Sequence, residues 1–240
     1  MPADLDKALT EFFASEFWKA VEEGYDMQLE EADFETPDYE MLRKLEQSVY
    51  QFSAAKNYAQ LKAISQALLD EQGKLRTFSQ FRQAAAEINN EFVNQWLKAE
   101  YNFATASAQM SCRWVDIQKD KEILPLLKYN TVGDERVRVE HQELEGVIRP
   151  VDDDFWKIYY PPNGWNCRCD VQQLDSGKIT PLEKITLPEK MPEMFKYNSG
   201  ISGIAFPPGH PYYDGLPGDI KEQADKLWIE KRKNLNSGNS

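Results

Sequence analysis

Apolar residues in the first half of the chain recur at helical steps. Leu5, Leu9, Phe12, Phe13, Phe17 and Val21 are spaced three to four apart, which lines them along one face of a helix. Gly24 is its expected stop. The acidic run 26–36 reads as a connection, and Thr36-Pro37 as an N-cap with proline at the first helical position. Leu42, Leu45, Val49, Tyr50 and Phe52 carry the next stripe. Tyr58, Leu61, Ile64, Leu68 and Leu69 predict another helix, ended by Gly73. From Thr77 to Cys112 neither proline nor glycine interrupts. Phe78, Phe81, Ala85, Ile88, Phe92, Trp96, Leu97 and Ala104 there predict one long helix, or two joined end to end, whose apolar stripe is read as core.

Near Trp114 the pattern changes. Glycine and proline become frequent and apolar runs shorten. Val137 and Val139 alternate with Arg136 and Arg138, which predicts a short strand. "GVIRPV", "KIYY" and "RCDVQQL" are three further strand-sized runs, with Pro150 and Pro161 at edges. Residues 180–217 read as loop, residues 218–234 as an amphipathic helix carrying Ile220, Ala224, Leu227 and Trp228, and "NSGNS" as a frayed tail. The expected fold class is α+β: a helical region over 1–112, a small mixed α/β domain with short strands over 113–180, and a loop-rich tail over 181–240.

Charge narrows the function. Against 28 basic residues stand 40 acidic ones, a net charge of -12. Such a chain is repelled by nucleic acid and anionic membranes at long range, so strong direct nucleic-acid binding is not expected. No run reaches the roughly 18 apolar residues of a membrane span, and the first residues carry no signal-peptide pattern. The cysteine count of three is odd, and Cys167 and Cys169 are too close to bridge each other comfortably. They read as reduced, in a chain made in the cytosol.

The chemistry on offer is narrow. No P-loop, dinucleotide fingerprint, H-E-x-x-H or G-x-S-x-G occurs, and the only histidines are His141 and His210. His141, Cys167 and Cys169 are zinc-type donors, with Cys112, His210 and Asp134 as candidates for a fourth. The alternatives are cysteines acting as small buried apolar groups beside a His141 bonded to a backbone carbonyl, or a disulfide through Cys112. Redox catalysis is disfavoured, since C-x-C at a loop-to-strand join lacks the thiolate-favouring setting of a helix N-terminus, and Arg168 would point away from both sulfurs. Asp152, Asp153 and Asp154 read as a solvated turn. Asp134, Glu135 and Glu140 read as ion-pair partners of Arg136 and Arg138 across a strand.

Two blocks at fixed spacing add more. Thr131, Asp134, Val137, Arg138, His141, Leu144 and Gly146 fill T-x-x-D-x-x-V-R-x-x-H-x-x-L-x-G. Pro161, Pro162, Gly164, Cys167, Arg168 and Cys169 fill P-P-x-G-x-x-C-R-C. With the acidic and aromatic link between them, these blocks resemble the phage Mu F-like domain of head morphogenesis proteins, over about residues 95–175. The resemblance implies a minor head (capsid) protein of a phage or prophage, found in the virion and in the host cytoplasm during assembly. Its implied partners are portal, capsid and scaffold proteins, and its implied role is to assist head assembly, genome packaging or DNA delivery. It assigns no catalytic residue and implies no enzyme. The contrasting expectation is a hydrolase, or an ADP-ribosyl- or nucleotidyl-transferase, built on Asp134, Arg138 and His141.

Overall fold

A computed structural model of the chain describes residues 4–238, with side chains through residue 234. The first three residues, and the last two of the expected frayed tail, lie outside the described residues. The helices are α1 (Lys7–Tyr25), α2 (Pro37–Gln66), α3 (Phe78–Asn90), α4 (Trp96–Asp120), α5 (Val139–Gln142), α6 (Phe155–Tyr159), α7 (Ser199–Ser202) and α8 (Gly218–Gly238). Three strands, β1 (Leu126–Asn130), β2 (Ile148–Pro150) and β3 (Asp170–Leu174), form one antiparallel sheet in the order β2-β1-β3. The fold is α+β and mostly helical, as the sequence predicts.

The chain divides into two compact units. The first comprises Met1–Lys19, Glu46–Tyr101 and His210–Ser240. Asp6 opens α1 by accepting a hydrogen bond from the Leu9 N–H at 2.9 Å, the expected work of an N-cap carboxylate. Phe13 and Phe17 of α1 and Phe52 of α2 are fully buried, with the Phe17 and Phe52 rings 5.6 Å apart and edge-on. Ala54 and Tyr58 pack with Ile220 and Ala224 of α8. Where two helices were expected between Pro37 and Gly73, α2 runs unbroken to Gln66. Leu68 and Leu69 fall beyond its end, both about half exposed, in a loop closed by a bridge between Leu69 and Leu75. Gly73 serves that loop, at φ +77°.

The run from Thr77 is the second of the two forms expected, helices joined end to end. Thr77 and Gln80 make a reciprocal capping box at the start of α3. A π-turn, Glu91–Gln95, links α3 to α4, and there the Trp96 N–H bonds to the Glu91 carbonyl five residues back. The expectation that this apolar stripe is core holds for Phe92 and Ala104 but not for α3 or for Trp96, which is 39% exposed. No residue of α3 is buried, and Phe78 is 77% exposed.

The second unit comprises Ala20–Leu45 and Asn102–Gly209. Gly24, expected as the helix stop, has another use. A Cβ there would lie 2.1 Å from the Thr105 carbonyl oxygen, so glycine permits close approach of α1 to α4. The helix ends one residue later, with Asp26 at φ 57°. β1 is the central strand and was not foreseen. Its Leu127 and Tyr129 are fully buried and pack with Met110, Trp114 and Ile117 of α4, Val171 of β3, and Phe155, Trp156 and Tyr159 of α6. β2 and β3 fall where strands were predicted. Two other strand expectations are corrected. The Val137–Val139 alternation leads into helix α5, and Val139 is 68% exposed, so no core face holds it extended. "KIYY" belongs to the end of α6, whose buried Phe155, Trp156 and Tyr159 follow helical spacing. Helix α4 also continues six residues past Trp114, to Asp120.

Candidate metal centre

The site is built from two loops that flank the sheet. The first leaves β1. Thr131 Oγ1 accepts from the Gly133 N–H at 3.3 Å, and Asp134 Oδ1 accepts from the Arg136 N–H at 3.1 Å, an Asx-type turn. The turn delivers Arg138 to the start of α5 and His141 to its buried face. Gly146, at φ +74°, then reverses the chain so that its N–H bonds to the Tyr129 carbonyl at 2.9 Å. A side chain at this φ would be strained, which accounts for the glycine in the first block.

The second loop follows α6. The Pro161–Pro162 bond is cis. The Cys167 N–H bonds to the Gly164 carbonyl at 3.0 Å, closing a turn. A Cβ on Gly164 would lie 3.1 Å from Arg138 Nη1 and 3.8 Å from His141 Nε2, so the first block packs directly on the second. Beyond the turn the chain is extended and successive side chains alternate. Cys167 and Cys169 face His141, while Arg168 faces the other way, onto Asp134.

The outward contact is a fork. Arg168 Nη1 and Nη2 reach the two Asp134 carboxylate oxygens at 2.7 and 2.8 Å, the bidentate geometry that a guanidinium provides. The contact holds the Asp134 carboxyl down at about 2. Asp134 therefore pairs with Arg168 and Arg136, not across a strand as expected. Arg138 donates from Nη2 to the Trp165 carbonyl at 2.5 Å. Asp152, Asp153 and Asp154 form the expected turn, paired in order with Lys121, Arg149 and Lys157.

The inward contact gathers three donors. His141 Nδ1 lies 3.7 Å from Cys167 Sγ and 3.3 Å from Cys169 Sγ, and the three ligand atoms all lie within 4.8 Å of one another. Tetrahedral zinc, with its usual bond lengths, would set nitrogen and sulfur about 3.6 Å apart and two sulfurs about 3.8 Å apart. His141 Nε2 lies 3.3 Å from the Asn163 carbonyl oxygen. With its proton there, the Nδ1 lone pair points at the sulfurs, the second-sphere arrangement usual for a ligating histidine. The carbonyl-bonded histidine and the metal ligand, posed as alternatives from the sequence, are compatible in one ring. Cys167 is lowered to about 4, first by its hydrogen bond with Cys169 and then by His141. Cys169 is raised, first by that same hydrogen bond and then by burial. The two thiols therefore do not ionise independently of one another. This group could hold a metal ion.

None of the expected fourth donors joins it. Among the described residues the group is His141, Cys167 and Cys169 alone. All three cysteines are free, so the disulfide alternative is not formed. Cys112 lies beside Asp116, with its thiol pushed up to about 11, first by burial. It lines a separate hollow of about 670 Å³ with Gly24, Tyr25, Arg113 and Asp170. His210 belongs to the first unit, where its Nδ1 accepts from the Tyr212 N–H at 3.2 Å. Asp134 is held by arginine. Asp134, Arg138 and His141 thus have three different sets of partners. Asn163 is the member that sequence reading missed. It is 1% exposed, its carbonyl orients His141, and its Oδ1 accepts from the Tyr129 hydroxyl at 3.1 Å. Its main role runs through the backbone, so side-chain identity gave no signal.

The family model described as phage Mu protein F like protein matches residues 38–172, a stretch that contains every member of both blocks. The chain belongs to this family. The match also begins well before the stretch the motifs delimit, reaching back to the start of α2. Two curated relatives align with part of this Mu F-like chain. "Putative capsid assembly protein F" of Escherichia phage Mu is 38% identical over 82 residues, 34% of this chain and 19% of the relative. "Mu-like prophage FluMu F protein" of Haemophilus influenzae is 37% identical over 73 residues, 30% of this chain and 18% of the relative. The aligned stretch spans about a fifth of the length of each relative. No solved structure matches. Among the described residues no helix is long and apolar enough to cross a membrane.

Proposed function

We propose that this Mu F-like chain serves phage or prophage capsid assembly, acting by protein–protein contact and not by catalysis. The reading is carried by the family match together with the printed name of the phage Mu relative. Its partners are capsid and scaffold subunits and the portal protein, and its place is the head or portal vertex, where it assists packaging or DNA delivery. An affinity-tagged chain expressed from the phage or prophage genome tests this. It is expected to copurify with portal protein and to be found in proheads or virions by mass spectrometry. Its absence from purified proheads and virions alike would overturn the reading.

Within that role the His141, Cys167 and Cys169 group is a zinc clasp. It ties the loop after β1 to the loop after α6, and the Arg168–Asp134 fork supports it from outside. Thiolate and imidazole donors at tetrahedral spacing support zinc over calcium or magnesium, which take oxygen ligands. Elemental analysis of untagged protein is expected to give about one zinc per chain, lost in Cys167→Ser. Protein that is folded and zinc-free after purification with zinc present refutes the clasp.

A further inference from the structure

Three protein donors leave a tetrahedral ion one short. Beside the His141, Cys167 and Cys169 group lies a hollow of about 20 Å³, which those three residues line together with Arg136, Arg138 and Arg168, among others. That volume admits one water-sized atom. Asp134 does not line it and is engaged by the Arg168 fork. Of the three arginines that line the hollow, Arg168 is turned onto Asp134 and Arg138 onto the Trp165 carbonyl, which leaves Arg136 at the rim.

The charges around it favour an anion. Zinc with two thiolates and a neutral imidazole carries no net charge. Of the nearby carboxylates, Asp134 is shared between Arg136 and Arg168, and Glu145 accepts from the Thr131 N–H at 2.5 Å. Three arginines and no carboxylate line the hollow itself, so its immediate lining is cationic. Arg136 is the most available, with its side chain 78% exposed.

We propose that this centre, on the zinc reading above, keeps its fourth position open and binds a small carboxylate there. One carboxylate oxygen occupies the hollow and the arginine rim holds the anion. The position thus takes an external ligand, which a closed four-donor structural site could not do. Its chemical class is a monodentate carboxylate, the oxygen donor that suits both zinc and a guanidinium.

Cobalt(II) in place of zinc reports the coordination directly. The metal-free full chain is titrated with cobalt(II), and its visible bands are followed as formate is added at constant ionic strength, with chloride as control. The expected result is cobalt–thiolate bands that shift saturably with formate and not with chloride. In Arg136→Gln the cobalt affinity should be unchanged and formate binding about two- to fivefold weaker, the worth of one exposed charge. Cobalt bands that formate does not move would show a fourth protein donor and overturn the proposal while leaving the clasp standing. Equal shifts with chloride, or an Arg136→Gln variant that binds formate as the parent does, would overturn the carboxylate preference. A chain that shows no cobalt–thiolate bands at all overturns the clasp itself.

Discussion

Replacing Lys56 by methionine tests what the interior of the first unit tolerates. The Lys56 side chain, from α2, is wholly buried and that of Glu100, from α4, is 3% exposed, with Nζ and Oε2 2.7 Å apart. The Tyr212 hydroxyl donates to the other Glu100 oxygen at 2.8 Å. The rings of Phe13, Phe92 and Tyr212 surround Nζ at 5.0, 5.3 and 5.4 Å. Burial is the first cause acting on both groups, lowering Lys56 and raising Glu100, with the mutual attraction opposing it. The pair therefore offsets only part of its own desolvation. Lys56→Met leaves Glu100 with one hydrogen bond among aromatic rings, at a cost of about 3–5 kcal/mol. Glu100→Leu strands the ammonium at a similar cost. In the double variant both charges are gone and only the Tyr212 hydroxyl loses a partner, about 1–3 kcal/mol. The double variant should then be more stable than either single one, with a coupling energy of about 3 kcal/mol or more. Urea unfolding, with midpoints and slopes fitted for all four chains, reads this out. Additive single costs, or a Lys56→Met cost below about 1 kcal/mol, would refute the account of a mutually dependent buried pair.

Four further outcomes are expected. His210 is lowered to about 4, first by burial and then by the Lys56 charge, and its Nδ1 must stay unprotonated to accept from Tyr212. The unfolded chain takes up a proton near pH 6.5 and the folded one only near 4, so stability is level above that window and falls through it as pH drops, by about 3 kcal/mol. Unfolding midpoints at pH 7.5 and 4.5 check this, and His210→Asn should lose that part of the dependence. Gly200→Ala puts a Cβ 2.2 Å from Trp114 Cβ and should cost about 2–3 kcal/mol in thermal or urea unfolding. Gly215→Ala, at φ +65° with open space around it, should cost about 1 kcal/mol from backbone strain alone. Thr77→Ala removes the α3 capping box and should cost about 1 kcal/mol. Because α3 buries nothing, faster amide exchange confined to residues 78–90 is the expected signature.

Legibility followed how locally each feature is specified. The start of α2 was readable because Thr36 and Pro37 act on the next turn of chain. Thr131 to Cys169 was readable because both blocks have fixed spacing, and the C-R-C alternation foretold that Arg168 would face away from the sulfurs. β1 was not readable. "LLKYN" has too few residues to show a period, and its extended form depends on pairing with β2 on one side and β3 on the other. α5 was misread because three alternating residues fit a strand or a helical turn equally well, and only burial of His141 decides. α6 was not legible in "KIYY" alone, because the helical spacing rests on Phe155 and Trp156 before it. The three candidate metal donors could be gathered from the sequence, but that Asp134 stands apart from them follows from its fork with Arg168.

The π-turn between α3 and α4 has a meaning in terms of insertion and deletion. A π-turn holds one residue more than the α-helical turn it replaces, and each residue advances a helix by about 100°. Helices α3 and α4 can thus be regarded as one long helix into which a single residue was inserted between Glu91 and Gln95. A residue added in plain α geometry would rotate everything upstream by that angle; the wide turn takes it up locally instead, with α-helix on both sides of Glu91–Gln95. A one-residue deletion in this turn should therefore restore ordinary i→i−4 bonding and leave both helices formed. The turn is thus a place where the family can gain or lose one residue without breaking either helix.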